Sequence, residues 1–363
     1  IGNIYVGKVK NIVKNIDAAF IEIKKGVLCF LPLSEAEGAI FTTPKEHKKL
    51  VVGDELLVQV LKDGVKTKAP VVSTNLNFTG RYFVFTTKRK EQLGISNKLG
   101  EEDRKRLQEY ASGKEKDSFG MIIRTNAKGA TVEELDAEYD YLKEVYHKVI
   151  DFGIHKTTFS LLMQDEAPYI KQLRNIRQDE LEEIITDDKG IYEEAYEFLK
   201  AHQPGDLEKL RLYSDESYSL WNLYGLETLL DDATRTRVWL KSGGYLVIEP
   251  TEALTVIDVN TGKYEGNKNA DATFLKINQE AAVETAKQLR LRNISGIIII
   301  DFIDMKTEAD KLEVLSTLNQ ALKTDPVKAT LVDMTKLNLA EVTRKKVKKS
   351  LREQLGSYDY RRN

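Results

Sequence analysis

The sequence predicts an α/β multidomain protein with a small N-terminal β-barrel, an α+β middle and a C-terminal α/β layer. Three observations predict it. Short alternating strands separated by Gly, Asn and Lys turns fill the first 77 residues. Strand and helix periods alternate from Tyr245 onward. The length, 363 residues, gives room for two to four domains with sizeable cores.

In the barrel, Asn3-Ile4-Tyr5-Val6-Gly7-Lys8-Val9 alternates as a strand with one exposed face. Ala18 to Ile23, Val27 to Pro32 and Asp54 to Val60 follow as further strands. Phe20 and Phe30 lie on strands, with Lys8, Lys10, Lys14, Lys66 and Lys68 elsewhere in the module. Aromatic rings on a barrel face among lysines are the means by which OB folds hold single-stranded nucleic acid. The alternative is that both rings are core.

The middle opens on the apolar run Arg81-Tyr82-Phe83-Val84-Phe85 and contains Gly120-Met121-Ile122-Ile123-Arg124-Thr125. A helix is expected from Thr131 to about Asp151, with Thr131 as its cap and Glu134 as the capping-box partner. Arg124 and Thr125 therefore sit where a strand gives way to a loop, a setting in which a guanidinium and a hydroxyl can bind a phosphate monoester. A surface salt bridge is the alternative. From Tyr169 to Asp232 a helical, polar connection is expected, with a stripe at Ile176, Leu181, Ile184 and Ile185 and a short helix from Ile191 to His202.

The last part carries the chemistry. Tyr245 to Ile248 and Ala253 to Val259 read as adjacent strands, Ala272 to Asn293 as an amphipathic helix, and Ile297 to Asp301 as the next strand. Thr307 to Lys323 reads as a helix, Lys328 to Asp333 as a strand and Leu339 to about Leu355 as a helix, so parallel strands are expected. Asp258 and Asp301 both end apolar strands. A carboxylate there is costly unless its charge is compensated, and a divalent ion both compensates it and does chemistry. One parallel sheet would bring the two together as halves of an Mg²⁺ site. The alternative is that each ends its strand and caps a turn.

The bulk numbers narrow the class. With 41% hydrophobic and 31% charged residues the composition is that of an ordinary globular protein. A formal charge of -2 excludes a globally basic nucleic-acid binder but not local patches, such as Ala340 to Asn363 with eight Lys/Arg against three Asp/Glu. The only cysteine, Cys29, excludes an internal disulfide and a cysteine zinc cluster and fits a reducing cytoplasm. His47, His147, His155 and His202 stand at no metal-ligand spacing. No signal peptide or membrane span is found. Beginning at Ile1, the chain reads as a piece of something longer.

The run Thr251-Glu252-Ala253-Leu254-Thr255-Val256-Ile257-Asp258-Val259-Asn260 resembles the ribonuclease E/G family of bacterial endoribonucleases. So does Ala286-Lys287-Gln288-Leu289-Arg290-Leu291-Arg292-Asn293, running into Gly296 and Ile300-Asp301-Phe302-Ile303-Asp304-Met305. Weaker similarity covers essentially the whole chain. The resemblance implies that Asp258 and Asp301 hold a catalytic Mg²⁺ and that Asn260 orients Asp258. It implies an OB-fold RNA-binding face at Phe20, Phe30 and Lys68, and a pocket for an RNA 5′-monophosphate at Gly80, Val84, Arg124 and Thr125. The implied parts are an OB-fold domain (1–77), a 5′-end sensor region (78–168), a partial ribonuclease-H-like region (169–232) and a deoxyribonuclease-I-like catalytic domain (233–363). The implied activity is cleavage of single-stranded, AU-rich RNA to 5′-phosphate and 3′-hydroxyl products, in rRNA maturation and mRNA decay.

Three departures qualify these implications. The family's Cys-Pro-x-Cys zinc link is absent, so zinc is not expected and homo-oligomerisation is left open. A stretch that normally precedes the barrel is missing. Asn97-Lys98 follows Gly94-Ile95-Ser96 where relatives carry an arginine pair, which weakens the sensor assignment. The rival reading is a non-catalytic RNA-binding module.

Overall fold

The computed structural model describes residues 1–45, 49–64, 69–88, 92–114, 118–176, 181–262 and 270–356. The chain forms two compact units, Ile1–Ser214 and Asp215–Asn363.

The first unit begins with β1 (Ile4–Val13), β2 (Ala18–Lys24), β3 (Val27–Pro32), β4 (Glu55–Lys62) and β5 (Val71–Ser73). These pair in the order β1-β2-β3-β5-β4, and β4 pairs back onto β1, closing a five-stranded barrel of OB type. Alternation fills the barrel: Val9, Ala19, Ile21, Cys29, Leu31, Leu56, Val58, Val60 and Val72 point inward and are buried. Next come β6 (Asn77–Thr79), β7 (Phe83–Thr86), β8 (Leu93–Ile95), α1 (Glu101–Ser112), β9 (Gly120–Ile123) and α2 (Val132–Gly153). The strands form a sheet in the order β6-β7-β9-β8, and α2 packs its stripe of Leu135, Tyr139, Leu142 and Tyr146 into the same core as Phe83 and Phe85. Thr131 and Glu134 form both halves of the expected capping box. Then β10 (Leu161–Met163) pairs with β1.

The unit ends with α3 (Pro168–Asn175), β11 (Ile184–Thr186), α4 (Lys189–His202) and β12 (Leu210–Leu212). The helical stripe expected through Ile184 and Ile185 is not found. Those residues form β11, which pairs in parallel with β12, and Ile176 only caps the end of α3. Three isoleucines among short-range polar residues fit either period, and the partner strand decides between them.

The second unit contains α5 (Leu220–Leu223), α6 (Leu226–Thr234), β13 (Arg237–Trp239), β14 (Tyr245–Pro250), β15 (Leu254–Asn260), α7 (Ala270–Leu291), β16 (Gly296–Asp301), α8 (Glu308–Lys323), β17 (Ala329–Met334), β18 (Leu339–Arg344) and α9 (Leu351–Leu355). The sheet order is β13-β14-β15-β16-β18-β17. One face is apolar: Leu246, Ile248, Ile257, Val259, Ile298, Ile300, Ala340 and Val342 are buried with Ala281, Ala282, Leu289, Val314 and Leu318 of α7 and α8.

Two expectations are corrected here. The sheet is mixed: β15 and β16 are parallel, but β14, β17 and β18 pair antiparallel with their neighbours. The helix expected from Leu339 is strand β18 followed by the short helix α9. Ala340, Val342 and Arg344 are buried while the residues between them are not, which is a period of two.

Candidate active site

The strand β15 leaves its apolar core at Val259, and β16 leaves its core at Ile300. Because the side-chain period is two, Asp258 and Asp301 both project from the opposite face and are exposed. The parallel register sets Asp258 directly beside Asp301, so the carboxylates stand on strands about 4.8 Å apart. Asn260, two residues on and on the same face, donates from Nδ2 to Asp258 Oδ2 at 2.7 Å. Burial, and then the charges of Asp258 and Asp304, raise the Asp301 carboxyl above its ordinary range. Among the described residues neither Asp258 nor Asp301 has an ion-pair partner, and no group of three or more His, Cys, Asp or Glu could hold a metal.

Two hard oxygen donors with no ion-pair partner among the described residues suit a cation such as Mg²⁺. That ion keeps several waters and needs only one or two protein carboxylates. The residues present therefore fit the metal.

The segment after β16 is fixed by a residue that sequence reasoning missed. Asn278, fully buried on α7, donates to Ile303 O at 2.8 Å and accepts from Ile303 N at 3.0 Å. A buried asparagine paired to backbone in both directions fixes the segment that follows Asp301 and carries Asp304. Only a polar residue among the apolar ones of the helix stripe hinted at it.

Phe20 and Phe30 face each other across β2 and β3, with ring centroids 6.0 Å apart and planes at 77°. Both are half-buried, on the outer side of the barrel wall, opposite Ala19, Ile21, Cys29 and Leu31. The core reading of the rings therefore does not hold. Lys68 lies outside the described residues.

Gly80 and Arg124 meet, since the Arg124 guanidinium donates from Nη1 to Gly80 O and to Arg81 O, and from Nη2 to Asn175 Oδ1 at 2.8 Å. A guanidinium carries five N–H donors, so these contacts leave donors over. Burial, and then the charge of Arg174, push Arg124 below its ordinary range. The Thr125 hydroxyl shares a hydrogen bond with Ser96 Oγ at 2.9 Å. Val84 stands on β7 in register with Ile122, two residues before Arg124.

The turn itself is held by Glu138 of α2, which the sequence did not reveal. Its carboxylate accepts from the backbone N–H groups of Arg81, Tyr82 and Phe83 at 2.7, 2.6 and 2.9 Å. Position 80 must be glycine for this approach, because a Cβ there would fall 2.3 Å from Glu138 Oε1. Burial raises the Glu138 carboxyl, against the pull of those three N–H groups and of Arg124. The connection expected to be merely structural supplies Asp206, which is buried and pairs with Arg81 at 3.4 Å and Lys209 at 2.9 Å.

Comparison with known proteins adds a lineage to this geometry. The family model described as Ribonuclease E/G family matches residues 77–347, and that of the S1 RNA binding domain matches residues 1–75. The chain is 36% identical over 362 residues to Ribonuclease G of Salmonella typhimurium (strain SL1344), covering 97% of this chain and 74% of that protein. It is 35% identical to Ribonuclease G of Haemophilus influenzae, covering 97% and 73%. Ribonuclease E of Synechocystis sp. is 34% identical over 365 residues, covering 98% of this chain and 54% of that longer protein.

Proposed function

This chain belongs to the ribonuclease E/G family. From that membership we infer that it is an endoribonuclease, hydrolysing single-stranded, AU-rich RNA with Mg²⁺ held by Asp258 and Asp301. The observation that carries the metal assignment is the register of β15 and β16, which sets two carboxylates side by side with no ion-pair partner among the described residues. When bound, Mg²⁺ supplies an acidified water and stabilises charge on the scissile phosphate.

The protein's own groups provide the rest. Asp258 and Asp301 present anionic oxygens, Asn260 fixes the Asp258 carboxylate, and Asn278 holds the turn beside Asp301. The products carry a 5′-phosphate and a 3′-hydroxyl. Phe20, Phe30 and Lys68 take the RNA strand on the barrel. Gly80, Val84, Arg124 and Thr125 form a pocket for a 5′-monophosphate, supported by the spare donors of Arg124 and by the Thr125 hydroxyl. On this reading 78–168 is the 5′-end sensor, 169–232 belongs to a ribonuclease-H-like part and 233–363 is a deoxyribonuclease-I-like catalytic domain. The enzyme serves rRNA maturation and mRNA decay in the cytoplasm.

Cleavage of a short AU-rich RNA, carrying a 5′-monophosphate or a 5′-hydroxyl, tests the proposal. Internal cuts should require Mg²⁺, run faster on the monophosphorylated strand and vanish in Asp301→Asn while RNA binding persists. Full activity in Asp301→Asn sinks the metal assignment, and binding without cuts by the unmodified chain favours the RNA-binding module instead.

A further inference from the structure

The sheet face that carries Asp258 and Asp301 also carries aromatic rings that the proposed function does not use. Across the strands, Arg237 is in register with Val247, Val247 with Asp258, and Asp258 with Asp301. The parallel row one pleat further runs from Trp239 through Tyr245 to Asn260. Residues in register share a face, and so do residues two apart on one strand. Arg237, Trp239, Tyr245, Asn260, Asp258 and Asp301 therefore project from the same side, the side opposite the buried core of α7 and α8.

The group has the chemistry of a base-stacking platform. Trp239 is 62% exposed, a large apolar ring left in water beside a charged site. Its centroid is 5.2 Å from that of Tyr245, with planes at 62°. The Arg237 guanidinium lies 4.4 Å from the Tyr245 centroid and 5.8 Å from that of Trp239. Such a cation–aromatic contact stiffens the pair and keeps positive charge at its edge. Trp239 stands two strands from β15, about 10 Å from Asn260. One extended strand of RNA can thus have its phosphate at the carboxylates and a base on the rings.

We propose that Trp239 and Tyr245, braced by Arg237, bind an unpaired nucleobase of the RNA beside the scissile phosphate. The inference rests on the reading of Asp258 and Asp301 as the cleavage centre. Stacking demands an unstacked base, so the platform selects single-stranded over duplex RNA at the cut and tolerates any base, since every base has a π-face.

Two measurements on the intact chain test it. Trp239→Ala should raise KM for a short single-stranded RNA about tenfold, the range of one stacked base, with kcat little changed. Trp239→Phe should restore most of the loss. In an Asp301→Asn, Trp221→Phe background, Trp239 is the remaining one of the two tryptophans. Its fluorescence should be quenched by this RNA and far less by a strand abasic at the nucleotides flanking the cleavage site. A normal KM in Trp239→Ala, or equal quenching by the abasic strand, overturns the platform. Full cleavage by Asp301→Asn overturns the reading beneath it, and the two failures are distinguishable because they appear in different variants.

Discussion

Asn278 shows what a single side chain does for the proposed chemistry without touching RNA. It sits 0% exposed on the buried face of α7 and gives both its hydrogen bonds to Ile303. Asn278→Ala removes the partner of the partly buried Ile303 N–H and carbonyl, at a cost of about 1–3 kcal/mol in all. Urea unfolding should show the loss. Mg²⁺-dependent cleavage should fall in the same variant at temperatures where it remains folded, because the turn between Asp301 and Asp304 is released. The juxtaposition of Asp258 and Asp301 was legible because a carboxylate closing an apolar run is anomalous in one dimension, whereas Asn260 beside Asp258 came only from the family resemblance. Asn278 and Glu138 were not, because their partners lie 25 and 55–57 residues away and no local spacing encodes them.

At the level of elements, β18 explains both what was misread and what holds the second unit together. The run from Arg344 to Arg352 carries so many cations that a solvated helix was expected. Yet Arg344 is buried at the end of a strand. Its Nε donates to Asp325 Oδ2 at 2.8 Å, and its Nη1 donates to Asn293 Oδ1 at 2.8 Å and Ile294 O at 3.1 Å. The pair is 3% and 1% exposed. Asp325→Ala strands a buried guanidinium and should destabilise the protein by about 3–5 kcal/mol, read as a lower thermal midpoint. The strand–helix alternation was legible from Tyr245 to Asp333, and so was the β15–β16 pairing. The insertion of β18 between β16 and β17 was not, since strand order is a non-local property.

For the molecule as a whole, the proposed RNA-binding surface and the proposed cleavage centre lie in separate compact units. Phe20→Ala with Phe30→Ala should therefore raise KM for single-stranded RNA by about ten- to a hundredfold, with kcat nearly unchanged. The rings are half-buried on the barrel's outer face, so the barrel core survives the change. A fall in kcat alone would show that the barrel does not bind the substrate strand. The barrel itself was legible from short alternating strands, whereas its closure through the β4–β1 pairing depends on residues some fifty positions apart.

The parallel pairing of β15 with β16 also governs when activity can arise. Asp258 is synthesised first, and α7 must follow before the strand bearing Asp301 exists. Non-local parallel pairing forms late and slowly. On the proposed assignment, a chain still on the ribosome with β16 unmade has only one of the two carboxylates, so cleavage should begin only after that strand is made and paired.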